Sequence, residues 1–137
     1  MKSSVWVDAN VLLRLITGDP QEMADKVAGI VARAERGELV LRVTPIVVAE
    51  TVWVLLSFYG HSKRQVADTL IALLLADGVR AEERDLVVAA LEDMAAANVD
   101  FADAHLARVA RARGEAVCSF DNDFKRLSVS LVMPGDD

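Results

Sequence analysis

Compact apolar runs alternate with longer amphipathic stretches along this chain. The runs at 4–7, 39–43 and 116–120 are short and apolar, and the first two are rich in β-branched residues, which predicts buried strands. In the longer stretches, apolar positions recur with helical spacing. Strands that alternate with helices indicate a parallel sheet covered on both faces.

Capping residues mark the ends of several predicted helices. Thr44 followed by Pro45 is a typical helix start, and Ser62 is positioned to cap the next helix. Gly37 and Gly114 end two others. The predicted helices are 10–17, 20–36, 45–57, 63–76, 84–98 and 101–113, and further short strands are predicted at 79–82 and 129–133.

Length and composition predict a single globular domain over residues 1–137. The chain is 53% hydrophobic and 26% charged, which excludes a disordered protein. Its one cysteine, Cys118, cannot form an intramolecular disulfide, and no apolar run is long enough to span a membrane. Asp8 interrupts the apolar N-terminal stretch, which therefore does not read as a signal peptide. We expect a cytoplasmic protein with no membrane association.

The charge balance is acidic. The formal net charge is −6, from 15 lysines and arginines against 21 aspartates and glutamates, which is not the balance of a general nucleic-acid binder. Acids gathered in one place can instead bind a hard cation. Near the C-terminal end, Arg108, Arg111, Arg113 and Lys125-Arg126 form either ordinary solvated faces or local RNA contacts.

Two aspartates stand where predicted strands end. Asp8 follows the run at 4–7, and Asp121 follows the run at 116–120. Ligands of open parallel sheets bind at the carboxyl ends of the strands, so we expect both acids at the same edge. The segment from Asp121 to Asp123 is also an ordinary turn sequence, because Asn and Asp side chains bond to nearby backbone.

Glu50 lies in the most apolar of the predicted helices, 45–57. Helical spacing assigns Ile46 and Trp53 to packed faces, and the helix carries no lysine or arginine to pair with Glu50. A buried carboxylate without a partner is costly, so a positive group such as a metal ion would have to come from elsewhere in the fold. The alternative is that Glu50 lies on a narrow solvated stripe beside Thr51.

Two further acids lie at the start of the last predicted helix. Asp100 is a good N-cap, and Asp103 occupies the position of a capping-box acid. This structural explanation suffices for Asp100. Because its neighbours are alanines, Asp103 has room to bind a ligand, and both interpretations remain open for it.

Taken together, four acids are predicted at helix starts or strand ends of one sheet. Converging carboxylates repel one another, so such a group needs a divalent cation. Oxygen ligands without Cys or His favour Mg²⁺ or Mn²⁺ over zinc. A cation of this kind lowers the pKa of a bound water and stabilises charge on a phosphodiester, which favours a metal-dependent phosphodiesterase.

Four stretches now carry a resemblance: VWVDANVLLRL, TPIVVAETVWVL, DFADAHLARVARARG and VCSFDNDFKRL. In order and spacing they resemble the PIN-domain ribonucleases, most closely the VapC-type toxins of VapBC toxin–antitoxin pairs. The similarity runs from Val5 to about Leu127. It implies a three-layer α/β/α sandwich with a central, mainly parallel sheet of about five short strands.

The resemblance also implies roles for individual residues. An acidic quartet would hold Mg²⁺ or Mn²⁺ around the cleavage water: Asp8, Glu50, Asp103 and Asp121. Asp123 matches an additional acid, and Asn10 and Ser119 match polar positions that orient ligands or water. Arg14 would contact substrate or antitoxin, or lie in solvent.

The implied partners are an RNA substrate, often one tRNA or rRNA loop, a cognate VapB-type antitoxin, and a second copy of the chain in a homodimer. Neither the RNA nor the number of metal ions can be read from the sequence, and the role of His105 stays open. Trp6 and Trp53 lie in core-like patterns, so they are not expected to stack on bases.

Parts of the sequence also fit two other functions. The stretch VWVDANVLL resembles the first motif of haloacid-dehalogenase-type phosphatases, in which Asp8 would be the nucleophile. Asn10 stands where that family has its second aspartate, which argues against this assignment. The other alternative is a non-catalytic module whose acids bind metal without cleaving anything.

Overall fold

The computed structural model describes residues 3–136, which belong to two compact units divided between Arg84 and Asp85. The elements of the first unit are β1 Ser3–Trp6, α1 Ala9–Thr17, α2 Gln21–Glu35, β2 Leu39–Val43, α3 Pro45–Ser57, α4 Lys63–Leu74 and β3 Val79–Ala81. The elements that follow are α5 Arg84–Ala97, α6 Phe101–Ala112, β4 Val117–Cys118, the 3₁₀ helix Asn122–Leu127 and β5 Leu131–Val132.

The first unit is built on a three-stranded parallel sheet with β2 at its centre. Leu41 and Val43 of β2 are buried, as the apolar run predicted. Leu55 of α3 and Leu70 of α4 are completely buried and belong to the same hydrophobic core. Four of the five residues of β2 are buried, which fits its largely apolar sequence and its position as the central strand.

The prediction that β1 is buried is wrong. All four of its residues are exposed, with Val5 at 40% and Trp6 at 57% of their full exposure. β1 has a single partner strand in its sheet, and the Arg42 guanidinium of that strand lies 5.6 Å from the centroid of the Trp6 ring. An apolar run alone does not distinguish an edge strand from a central one.

The predicted helix starts of α3 and α4 are confirmed atom by atom. Thr44 Oγ1 accepts a hydrogen bond of 3.2 Å from the Val47 backbone N–H. Ser62 and Gln65 form a reciprocal capping box at the start of α4. Capping depends on residues within one turn of each other, so the local sequence is sufficient to predict it.

The second unit combines α5 and α6 with a small parallel sheet of β4 and β5. A two-armed ion pair joins the helices: Nε and Nη2 of Arg108 donate to the two carboxylate oxygens of Asp93 at 2.6 and 2.9 Å. Leu91 and Met94 of α5 are completely buried. The strand predicted at 116–120 is only two residues long.

The α/β class is confirmed, and within residues 3–136 the five strands pair in parallel throughout. The strands are divided between a three-stranded and a two-stranded sheet, whereas the sequence predicted one central sheet. Within residues 3–136, no helix is long and apolar enough to cross a membrane.

Candidate active site

Asp8 lies at the junction between β1 and α1. Its Oδ1 accepts a hydrogen bond of 3.1 Å from the Val11 backbone N–H, so it is the N-cap of α1. The residue is exposed, and Oδ2 takes no part in the cap. Asn10, two residues further on, is also exposed. The cap therefore holds the Asp8 carboxylate in a fixed orientation while one of its oxygens remains available to a ligand.

Arg14 lies in the last turn of α1. Its Nε atom is buried and has no hydrogen-bond partner among the residues that the structure describes. An unsatisfied guanidinium N–H is unfavourable, so an acceptor supplied by a bound molecule would stabilise it.

The prediction that Glu50 is buried is wrong, and the solvated stripe is the correct alternative. Glu50 is exposed, as are Ile46 at 71% and Trp53 at 69%, which lie on the same outward face of α3. Thr51 beside it is completely buried, and its hydroxyl donates to the Val47 carbonyl at 2.8 Å. Glu50 therefore needs no partner to offset burial, and its carboxylate is accessible from solvent.

The same result corrects the assignment of the two tryptophans to the core. Trp6 and Trp53 are both more than half exposed. Helical and strand periodicity failed here because apolar residues occupy every face of these elements, so the pattern could not identify the outward face.

In the second unit, Asp103 lies among other carboxylates. Burial raises the pKa of the Asp103 carboxyl, and the charges of Asp100, Asp121 and Asp123 raise it further. Asp100, Asp121 and Asp123 therefore each lie within electrostatic reach of Asp103. Asp100 occupies the N-cap position of α6, but its side chain makes no capping hydrogen bond.

A network of short hydrogen bonds fixes the segment after β4. The Asp121 backbone N–H donates to Ser119 Oγ at 2.9 Å, and Asp121 Oδ1 accepts from the Asp123 backbone N–H at 2.8 Å. The segment is thus the turn that its composition predicted, and the same turn orients the Asp121 carboxylate. The contact of Ser119 with Asp121 is thus made to its backbone N–H.

Asp123 has a partner that the sequence analysis missed. Its Oδ1 accepts a hydrogen bond of 2.8 Å from Arg126 Nη2, three residues later in the 3₁₀ helix. The signal was present in the sequence, since an acid and a base three residues apart face each other on a helical turn.

His105 packs against a neighbouring aromatic side chain. Its ring stacks on Phe101 with the centroids 5.9 Å apart and the planes at 29°. Its Nε2 is buried without a hydrogen-bond partner in the described part of the chain. A histidine fixed by packing against a phenylalanine is not positioned as a metal ligand.

The acids fit a divalent cation by their chemistry. All are carboxylate oxygens, the ligands that Mg²⁺ and Mn²⁺ prefer, and their repulsion in the second unit is what a cation would relieve. Among residues 3–136, no set of three or more His, Cys, Asp and Glu side chains is already arranged to hold a metal ion. Asp8 and Glu50 lie in the first unit, and Asp103, Asp121 and Asp123 lie in the second.

A comparison with known protein families identifies the family of this chain. The family model for the PIN domain matches residues 5–129, most of the chain and all five acids. The chain belongs to the PIN domain family. PIN domains are generally nucleases that act on RNA, and they typically bind divalent metals. No curated protein matches the chain.

Proposed function

We propose that this PIN domain is a metal-dependent endoribonuclease, the VapC-type toxin of a type II toxin–antitoxin pair. It hydrolyses phosphodiester bonds of a structured tRNA or rRNA with a metal-activated water. The observation that supports this most directly is the raised pKa of the Asp103 carboxyl, to which burial and the charges of Asp100, Asp121 and Asp123 contribute, since carboxylates that repel one another are what a divalent cation would stabilise.

In this proposal the chain functions as one domain over residues 1–137. The residues that would hold Mg²⁺ or Mn²⁺ are Asp8, Glu50, Asp103 and Asp121, with Asp123 as an additional acid. When bound, the cation supplies a water of lowered pKa and positive charge for the phosphodiester.

The supporting residues orient these acids. Ser119 fixes the turn that carries Asp121, and the α1 cap fixes Asp8. Asn10 is exposed two residues from Asp8 and is suited to hold a water. Each of these roles needs only a hydrogen bond, so the residues affect the geometry of the site rather than its charge.

The proposed protein partners are a VapB-type antitoxin and a second copy of the chain, in the cytoplasm. Three large apolar side chains of the first unit support a protein partner, because Ile46, Trp53 and Phe58 are each at least 69% exposed. The unsatisfied Nε of Arg14 supports a contact with the antitoxin or with the RNA.

The test is cleavage of total cellular RNA by the purified protein with Mg²⁺, with Mn²⁺ and with EDTA. We expect discrete fragments only when a metal is present. Glu50→Gln should reduce the rate at least about a hundredfold, because it removes a proposed ligand directly. Glu22→Gln is the matched control, since Glu22 is likewise an exposed glutamate on a helix of the first unit and should leave the rate unchanged.

Cleavage that persists in EDTA, or equal rates for the two variants, would contradict the proposal. Phosphate covalently attached to Asp8 after incubation with phosphate esters would instead establish the phosphatase alternative.

A further inference from the structure

The second unit contains a cleft whose lining does not include Asp103, Asp121 or Asp123. Its volume is about 540 Å³. The C-terminal half of α5, the outer side of α6 and the end of the 3₁₀ helix enclose it. Its lining includes Asp93, Ala97, Arg108, Arg111, Arg126 and Ser128. The small alanine side chain on α5 leaves the interior open to a ligand of moderate size.

The cleft is positively charged although the chain is acidic. Three arginines and one aspartate contribute to its lining, against a net charge of −6 for the whole chain. The single acid, Asp93, is paired with Arg108, whose pKa is raised chiefly by that hydrogen bond. Arg126 is paired in the same way with Asp123, so Arg111 supplies the positive charge of the cleft that no ion pair within residues 3–136 offsets.

The three arginines differ in how many of their guanidinium N–H groups remain available to a ligand. Arg108 is held in the wall of the cleft by its two bonds to Asp93. Arg126 gives one bond to Asp123, which leaves its other N–H groups. Arg111 is exposed, and within residues 3–136 its side chain makes no hydrogen bond or ion pair. A guanidinium with all its donors available at the rim of a cleft is suited to a planar, two-point contact with an anion.

We propose that this cleft binds a backbone phosphate of the RNA strand near the bond that is cleaved, with Arg111 as the principal contact. This rests on the proposed function, because it takes RNA as the substrate. The ion pair between Arg126 and Asp123 joins the edge of the cleft to the acids of the same unit. A strand anchored by a phosphate in the cleft therefore lies beside those acids.

The charge of the chain makes such a local anchor necessary. Nucleic-acid affinity normally comes from many phosphate contacts, and a chain with a net charge of −6 repels RNA at long range. A cleft that concentrates guanidinium groups provides a short-range contact despite that repulsion. It also fits a substrate recognised by docking at defined points.

Arg111→Gln tests the proposal with little risk to folding, because the side chain is exposed. The matched control is Arg113→Gln, an exposed arginine two residues away that does not line the cleft. The measurement is fluorescence anisotropy of a short labelled RNA of mixed sequence, in EDTA, over a series of salt concentrations. Circular dichroism melts of both variants verify that they are folded.

We expect Arg111→Gln to weaken binding about tenfold and to reduce the slope of log affinity against log salt by about one. Arg113→Gln should leave both unchanged, and Arg111→Lys should keep the slope while losing part of the affinity, since lysine retains the charge without the planar fork.

Three results would overturn the inference. The first is equal binding by the Arg111→Gln and Arg113→Gln variants. The second is displacement of the RNA by a poly-glutamate peptide as effective as displacement by unlabelled RNA, which would assign the cleft to an acidic protein segment. The third is a wild-type chain that binds inorganic phosphate but not RNA.

Cleavage activity separates this inference from the proposed function. Binding that depends on Arg111 in a chain that cuts no RNA would support the cleft and contradict the nuclease. Metal-dependent cleavage with binding indifferent to Arg111 would support the nuclease and contradict the cleft.

Discussion

In the second unit, the surroundings of Asp103 disfavour the ionised form of its carboxyl group. Burial of its carboxyl and the charges of Asp100, Asp121 and Asp123 raise its pKa, and these effects outweigh the stabilisation that the N-terminus of α6 gives to a negative charge. A site that costs stability in this way is typical of a functional position. A bound cation would remove the repulsion.

The first prediction concerns the stability of the metal-free protein. Because the folded-state pKa of Asp103 is raised, the folded protein holds the proton more tightly than the unfolded chain does. Stability therefore falls as the pH rises through the unfolded-state pKa and then the folded-state pKa. Asp103→Asn should raise the free energy of unfolding at neutral pH by less than about 1 kcal/mol, since the group is partly solvated.

Urea unfolding in EDTA at neutral and at acidic pH measures this effect. The gain should disappear below the ordinary pKa range of a carboxyl group, where Asp103 is protonated in both states. Glu115→Gln is the control, because Glu115 is an exposed acid of the same unit. An Asp103→Asn variant that is less stable than the wild type at neutral pH would show that the repulsion is not the dominant effect.

At the scale of secondary-structure elements, the sequence predicted where a helix begins better than it predicted which face of the helix is buried. The start of α3 at Thr44 follows from residues within one turn, and the structure reproduces it. The outward orientation of Glu50 and Trp53 on that helix did not follow, because every face of α3 is apolar. Which face is buried depends on neighbours that are distant in sequence.

The second prediction concerns the N-cap at the start of α3. Thr44→Ala removes the acceptor for the Val47 N–H and should lower the free energy of unfolding by about 1 kcal/mol. Thr44→Ser retains the hydroxyl and should retain most of that stability. Chemical denaturation of the three proteins measures the difference. Equal losses in the two variants would mean that the threonine methyl group, rather than the cap, is what matters.

At the scale of the molecule, the family match extends from residue 5 to residue 129 and so includes both units. The order of the acids along the chain was readable from the sequence because each lies in a short motif. The local surroundings of Asp121 were readable too, since its turn is made by neighbouring residues. Whether Asp8 shares a site with Asp121 depends on tertiary packing, which no local pattern determines.

The central claim is that the proposed motif acids, Asp8 and Asp121 among them, bind a divalent cation. Calorimetric titration of Mn²⁺ into the wild type, Asp8→Asn, Asp121→Asn and the Glu22→Gln control tests it most directly. The account predicts that one binding event, unchanged in the control, is weakened at least about tenfold by either aspartate substitution alone. Binding that stays intact in either Asp8→Asn or Asp121→Asn would contradict it, because the substituted aspartate would then not be a ligand.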